Sequence, residues 1–205
     1  MKINQSVFVL LLIAIGLTAV GNAQNSKAAE IKAIDKYCSS IDAIVKKSKG
    51  PELVFADTKD YNEERSVWRK FASEKALEKF RERNESYSIA YVWRNAGKVA
   101  LVNFTDFSPS GDWAEYTYTY YRADGTLARA ETELRTFQGD FIVIHRRYYD
   151  RRGRFLKKTS KYLDLQTKKP KKPTDEIATE ENGWTWSNIH MTTAKLPFAK
   201  LIKKK

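Results

Sequence analysis

Residues 86–165 show a pattern of period two, in which apolar or aromatic positions alternate with polar ones in short runs. Such alternation is typical of β-strands. Five turn segments separate the runs, each with a glycine that supplies the positive φ a tight hairpin needs. These connections are too short for parallel crossovers. The pattern predicts an antiparallel meander of six strands, at 87–94, 98–107, 112–122, 127–137, 141–149 and 155–165.

The two sides of the predicted strands differ in composition. In the third strand, Tyr116, Tyr118 and Tyr120 alternate with Glu115 and Thr117. This arrangement is typical of a sheet with one packed and one solvated face. We therefore expect other elements to cover the apolar and aromatic face.

The N-terminal part of the chain shows the three- and four-residue spacing of helices instead. Ile34, Cys38 and Ile41 lie on one such face and predict an amphipathic helix over 27–49, which Gly50 and Pro51 end. A similar apolar face predicts a second helix over residues 63–83.

Together these patterns predict an α+β domain, with two N-terminal helices (24–85) packed on a six-stranded antiparallel meander sheet (86–165). The apolar stretch 53–55 fits either a strand or a packed turn. Residues 166–183 are basic and polar and predict a linker. Residues 184–205 are again apolar in part, so we expect this C-terminal segment to pack back on the domain.

The first residues have the organisation of a secretory signal peptide. One charge, Lys2, precedes the apolar run 7–20, and small residues end at Ala23. The run is shorter than the roughly 20 residues of a membrane-spanning helix. We therefore predict that residues 1–23 are a signal peptide and that a soluble, exported protein without a transmembrane segment begins near Gln24, in the periplasm or outside the cell. An uncleaved N-terminal anchor is the alternative.

The chain is strongly basic, with a formal net charge of +12 in 205 residues. A positive excess favours anionic partners. For an exported protein we expect an anionic envelope polymer or lipid as partner, and no nucleic acid. Cys38 is the single cysteine, so an intramolecular disulfide is excluded, and its place on an apolar helix face predicts a buried thiol. The sequence does not indicate an oligomeric state.

The densest cluster of charge belongs to the predicted hairpin around residue 152. Interleaved tyrosines accompany the cations, and such a surface can bind phosphate or carboxylate groups. The alternative is a solvated hairpin whose cations protect a sheet edge from aggregation. The candidate anion-binding residues are Arg146, Arg147, Arg151, Arg152, Arg154, Lys157, Lys158 and Lys161.

Aromatic residues suggest a second kind of site, a concave sheet that holds a lipid-like or other apolar ligand. Ordinary core packing under the helices is the alternative. The candidate ligand-face residues are Trp93, Trp113, Tyr116, Tyr118 and Tyr120.

Catalytic motifs are absent from the sequence. It contains no nucleophile elbow, zinc-binding helix or phosphate-binding loop, so we expect no metal and no cofactor and favour a non-catalytic protein. A carboxylate-dependent hydrolase that uses Glu115, Glu131 or Glu133 is an alternative.

A weak internal repeat links two tyrosine-rich hairpins. Tyr120–Leu127 and Tyr148–Phe155 align at an offset of 28 residues, each with a glycine at the sixth position. Residues 116–156 resemble the tyrosine–aspartate (YD) β-hairpin repeats of large bacterial toxin-shell and adhesion proteins. The resemblance implies a local hairpin of the same kind. In general character the chain resembles small exported bacterial proteins.

Overall fold

The computed structural model describes residues 5–60, 63–175, 177 and 188–203, with side chains described from Ser26 onward. These residues form one antiparallel sheet of eight strands, in the order β2-β1-β3-β4-β5-β6-β7-β8. The strands are β1 Leu53–Asp57, β2 Trp68–Phe71, β3 Ser88–Asn95, β4 Lys98–Phe107, β5 Trp113–Tyr121, β6 Leu127–Thr136, β7 Phe141–Tyr149 and β8 Phe155–Asp164. The helices are α1 Gln5–Lys47, α2 Glu74–Arg81, a 3₁₀ turn Thr193–Lys195 and α3 Ala199–Ile202. The α+β class is confirmed.

The six predicted strands correspond to β3–β8, with bounds that differ by one residue at several ends. Each pairs with the next along the chain, as in a meander. Register shifts occur at Trp93/Arg94, Tyr120/Tyr121 and Tyr148/Tyr149. The last two lie just before the turns of the internal repeat, so the two hairpins share this irregularity.

The predicted count of six strands is wrong because β1 and β2 extend the sheet. β1 is the run that was ambiguous between a strand and a turn, and all five of its residues are buried. It lies between β2 and β3, so both of its edges are paired. A strand buried on both sides is a continuous apolar run without alternation, which explains the ambiguity.

The predicted helix over 63–83 is wrong in its bounds, because residues 68–71 form β2 and only Glu74–Arg81 are helical. Trp68 contacts Phe104 on one side of the sheet, while Phe71 contacts Phe80 on the other. Ser73 then starts the shorter helix α2, because its Oγ accepts a hydrogen bond from the Ala76 N–H at 3.2 Å. This N-cap separates a strand from a helix within a stretch that has helical spacing throughout.

One face of the sheet packs against α1, and we call it the α1 face. Ile34, Cys38 and Ile41 of α1 are buried there with Tyr120 and Tyr148. Helix α1 begins at Gln5 rather than at residue 27 and ends at Lys47. The predicted cleavage point therefore lies within a continuous helix, and export remains a prediction. Among the described residues, no helix combines the length and apolar character needed to cross a membrane.

The opposite face packs against the C-terminal segment, and we call it the C-terminal face. Leu196 and Phe198 are buried there with Phe55, Val102 and Phe104. The expectation of one solvated face is therefore wrong in this region, because elements cover both sides of the central strands. Of the apolar residues predicted to anchor the C-terminal segment, Trp184 and Trp186 lie outside the described residues.

Candidate functional site

The basic residues of the β7–β8 hairpin do not form one continuous surface. Neighbouring side chains of a strand point to opposite faces of the sheet, so the strand cations form two groups. The cations of the turn form a third group. The turn contains Arg151, Arg152 and Arg154, the α1 face has Arg146, Lys157 and Lys161, and the C-terminal face has Arg147 and Lys158.

Arg147 differs from the other cations because its side chain is buried. The residue is 0% exposed, and its charge acts on the carboxylate of Glu115. A buried guanidinium is not accessible to a polymer or a membrane. Arg147 therefore takes no part in an exposed anion-binding surface, and its neighbour Arg146 lies on the other face.

The hairpin turn is fixed by Asp150. Its Oδ1 accepts hydrogen bonds from the backbone N–H groups of Arg152 and Arg154, both at 2.8 Å. Its Oδ2 accepts a bond from Arg154 Nε at 2.6 Å. The backbone bond from Arg154 is the main reason why the pKa of Asp150 lies below its usual range. The arginines of the turn therefore extend from a backbone that is held in place by hydrogen bonds to Asp150.

Some cations of the hairpin have carboxylate partners and others have none among the described residues. Arg151 Nη1 lies 2.9 Å from Asp124 Oδ2 of the preceding hairpin turn. No ion pair of the described residues involves Arg152, Lys157 or Lys161, and all three are exposed. This set is the part of the predicted site that remains accessible to an anion.

The two turns of the internal repeat lie against each other. Arg122 of the first hairpin donates to the carbonyl oxygens of Leu127 and Tyr149, each at 2.6 Å. Arg151 of the second hairpin in turn donates a hydrogen bond to Asp124 of the first. The β5–β6 turn thus supports the β7–β8 turn. The likeness to tyrosine–aspartate repeats remains a prediction about this local pattern.

The repeat tyrosines also attach the sheet to α1. Tyr120 donates from its hydroxyl to Asp42 Oδ1 at 2.7 Å, and Tyr148 donates to Asp35 Oδ1 at 2.9 Å. The two aspartates lie seven positions apart on α1, which is about two helical turns. Arg129, between the tyrosines in the sheet register, contacts Asp35 at 3.2 Å.

The candidate aromatic residues are divided between the two faces. Trp93, Tyr116, Tyr118 and Tyr120 lie on the α1 face, whereas the register places Trp113 on the C-terminal face. Tyr120 is buried under α1, and the other three on its face are partly buried. The structure does not bring the five together, so they line no common concavity.

The candidate carboxylates are also separated. On the α1 face, Glu131 bonds to Arg146 and Glu133 lies 2.7 Å from Arg135. Glu115 is buried on the C-terminal face, directly opposite Asp106 in the register. Sequence reasoning missed Asp106, since only the register between β4 and β5 reveals that two acids face each other.

The histidines do not complete a catalytic arrangement among the described residues. His145 is buried, and its Nδ1 lies 2.9 Å from Ser160 Oγ, its cross-strand neighbour on β8. Burial lowers the pKa of His190, which packs against Phe104. In the described part of the chain, no group of three or more His, Cys, Asp or Glu side chains is placed to hold a metal ion.

Two surface cavities adjoin these groups. One of about 320 Å³ lies between α1 and the stacked turns and is lined by Glu30, Tyr37, Arg122 and Arg151. Another of about 290 Å³ is lined by residues that include Asp106. The walls of both cavities combine charged with apolar side chains.

Comparison with protein-family models, curated proteins and solved structures finds no match for this chain.

Proposed function

We propose that this protein is an exported, non-catalytic binding protein that contacts anionic components of the cell envelope through the β7–β8 hairpin. The observation that supports the proposal most directly is the exposed cation set of this hairpin. Arg152, Lys157 and Lys161 have no carboxylate partner among the described residues. An anion can therefore bind them without first breaking a described ion pair.

Arg151 and Arg154 add to this set although each has a partner. Their side chains are largely exposed, and Asp124, the partner of Arg151, is partly exposed as well. Exposed ion pairs contribute only about 0–1 kcal/mol, so a polyanion can exchange for Asp124 at small cost. Asp150, the partner of Arg154, is buried, so Arg154 keeps this ion pair and offers an anion only the exposed part of its guanidinium. The predicted export leaves phosphate and carboxylate groups of the envelope as the anions that these cations meet.

The test measures binding of the purified exported protein to peptidoglycan sacculi and to vesicles that contain phosphatidylglycerol. Two charge-reversal variants cover the site, one with Arg151, Arg152 and Arg154 changed to Glu and one with Arg152, Lys157 and Lys161 changed to Glu. Each cation near an anionic surface contributes about 1 kcal/mol, so either variant should bind at least about 100-fold more weakly. The affinity of the parent should also fall as salt is added.

A matched control has the same change in net charge at the other edge of the sheet. Lys75, Lys79 and Arg83 are exposed on α2 and just after it, and their change to Glu should leave most of the binding intact. If the control and the hairpin variants lose affinity equally, net charge rather than the hairpin governs binding, and the proposed site is wrong. If none of them loses affinity, the proposal is wrong as a whole.

A further inference from the structure

An exposed aromatic residue lies beside the cations of the hairpin turn. Phe155, the first residue of β8, is 57% exposed and follows Arg154 directly. Its ring meets Tyr149 edge-on, with centroids 6.1 Å apart, and this contact leaves much of the ring in water. A peptidoglycan or teichoic acid partner offers little apolar surface for such a side chain, whereas a lipid bilayer does.

We propose that the β7–β8 turn binds the surface of an anionic lipid bilayer, with Phe155 inserted at the head-group boundary and the surrounding cations on the lipid phosphates. The inference depends on the proposed function and narrows its partner to a membrane. A single apolar anchor gives only marginal, reversible membrane binding, and a cluster of cations beside it strengthens the attachment. Phe155 and the turn cations Arg152 and Arg154 supply both at one end of the hairpin, and Lys157 follows two residues later on the α1 face.

The apolar side of the turn extends beyond Phe155. The methyl group of Met191 lies next to Gly153, where an added Cβ would be 3.4 Å from it. Met191 is partly buried and belongs to the segment that covers the C-terminal face. Two apolar side chains therefore adjoin the turn, Met191 of the C-terminal segment beside Gly153 and Phe155 directly after Arg154.

The turn is also ordered before any partner binds. Asp150 accepts bonds from Arg152 and Arg154, and Arg122 bonds to the Tyr149 carbonyl at the base of the hairpin. A loop that is already fixed loses little conformational entropy on binding. Insertion of the ring therefore does not require the turn to fold first.

The experiment compares vesicles of phosphatidylcholine alone with vesicles that also contain phosphatidylglycerol, by co-sedimentation of the exported protein. Phe155→Ala should weaken binding to the anionic vesicles about ten-fold, since it removes most of the transfer free energy of one aromatic side chain. Phe155→Trp should restore it. Phe137→Ala is the matched control, because Phe137 is 60% exposed and follows β6 at the opposite end of the sheet.

A second readout reports the depth of residue 155. Phe155→Cys, labelled with an environment-sensitive fluorophore, should shift its emission to shorter wavelength on anionic vesicles and not on peptidoglycan sacculi. Cys38 is fully buried, so the folded Phe155→Cys variant should take up the label at residue 155 alone.

The outcomes separate this inference from the proposed function. If the charge-reversal variants lose vesicle binding while Phe155→Ala does not, the anion-binding function stands and membrane insertion is excluded. Binding to sacculi without binding to anionic vesicles also excludes insertion and leaves the anion-binding function in place. If neither the charges nor Phe155 matter, both proposals fail.

Discussion

Glu115 and Asp106 face each other across β5 and β4 on the C-terminal face. Burial is the main reason why the pKa of Glu115 rises from 4.5 to about 7, and the nearby Asp106 raises it further. The Thr117 hydroxyl, which donates to Glu115 Oε1 at 3.2 Å, opposes part of this shift. The pKa of Asp106 is also raised, mainly by burial, although Ser88 and Asn188 bond to it. Two adjacent acids in such surroundings favour a bound proton.

This arrangement predicts how stability depends on pH. A carboxyl whose pKa is higher in the folded state stabilises the fold below its unfolded pKa, and the contribution is lost as pH rises through the folded value. For Glu115 the loss should fall between about pH 4.5 and 7. A shift of this size corresponds to a few kcal/mol at most, about 1.4 per unit.

Glu115→Gln should remove that dependence, because the amide keeps the shape of the protonated acid and does not titrate. The free energy of unfolding, measured with urea at about pH 4.5 and at about pH 8, should differ less between the two conditions in the variant. Glu64→Gln is the control, since Glu64 is exposed. A parent protein that is equally stable at both pH values would contradict the prediction.

The sequence indicated which residues are polar at this site but not which are neighbours. Alternation correctly separated Glu115 from Tyr116 and Tyr118, yet it also suggested that the side with Glu115 faces water. Whether Asp106 lies opposite depends on the register between two strands, which the intervening turn sets. Turn geometry cannot be deduced from residue types alone.

At the scale of elements, the two repeat hairpins are tied to one helix by equivalent contacts. Tyr120 and Tyr148 lie 28 residues apart in sequence, and their partners Asp42 and Asp35 lie seven apart on α1. The repeat was visible in the sequence, but its function in docking α1 was not. Neither aspartate belongs to the apolar stripe that predicted the helix.

This geometry predicts the effect of removing one hydroxyl. Tyr120→Phe should lower the free energy of unfolding by about 1–2 kcal/mol, since it deletes a hydrogen bond to a charged acceptor in a partly buried site. A double-mutant cycle with Asp42→Asn, followed by urea unfolding, measures the coupling. Tyr116→Phe is the control, because no described hydrogen bond involves the Tyr116 hydroxyl. A coupling energy near zero would show that the bond adds no stability.

At the scale of the whole molecule, the sheet is covered on both faces by segments from the two ends of the chain. The period-two pattern predicted β3–β8 well, because alternation survives wherever one face is more polar than the other. It failed for β1 and β2, where strands are buried on both sides or very short. The sequence could not show which face the C-terminal segment covers, because its apolar residues pack against strands that are distant in the sequence.

Phe198 should be essential for this closure. Its ring stacks on Phe55 with centroids 4.3 Å apart and also meets Trp68 and Phe104, and the residue is only 1% exposed. Phe198→Ala leaves a cavity between the segment and three strands, and such changes cost about 3–5 kcal/mol. We expect the midpoint of urea unfolding to fall markedly, because the ring contacts β1, β2 and β4.

The control is Phe137→Ala. Phe137 is an exposed phenylalanine of the same chain, so its loss should change the free energy of unfolding by no more than about 0.5 kcal/mol. If Phe198→Ala were as mild as this control, the C-terminal segment would be an appendage of the domain rather than part of its core.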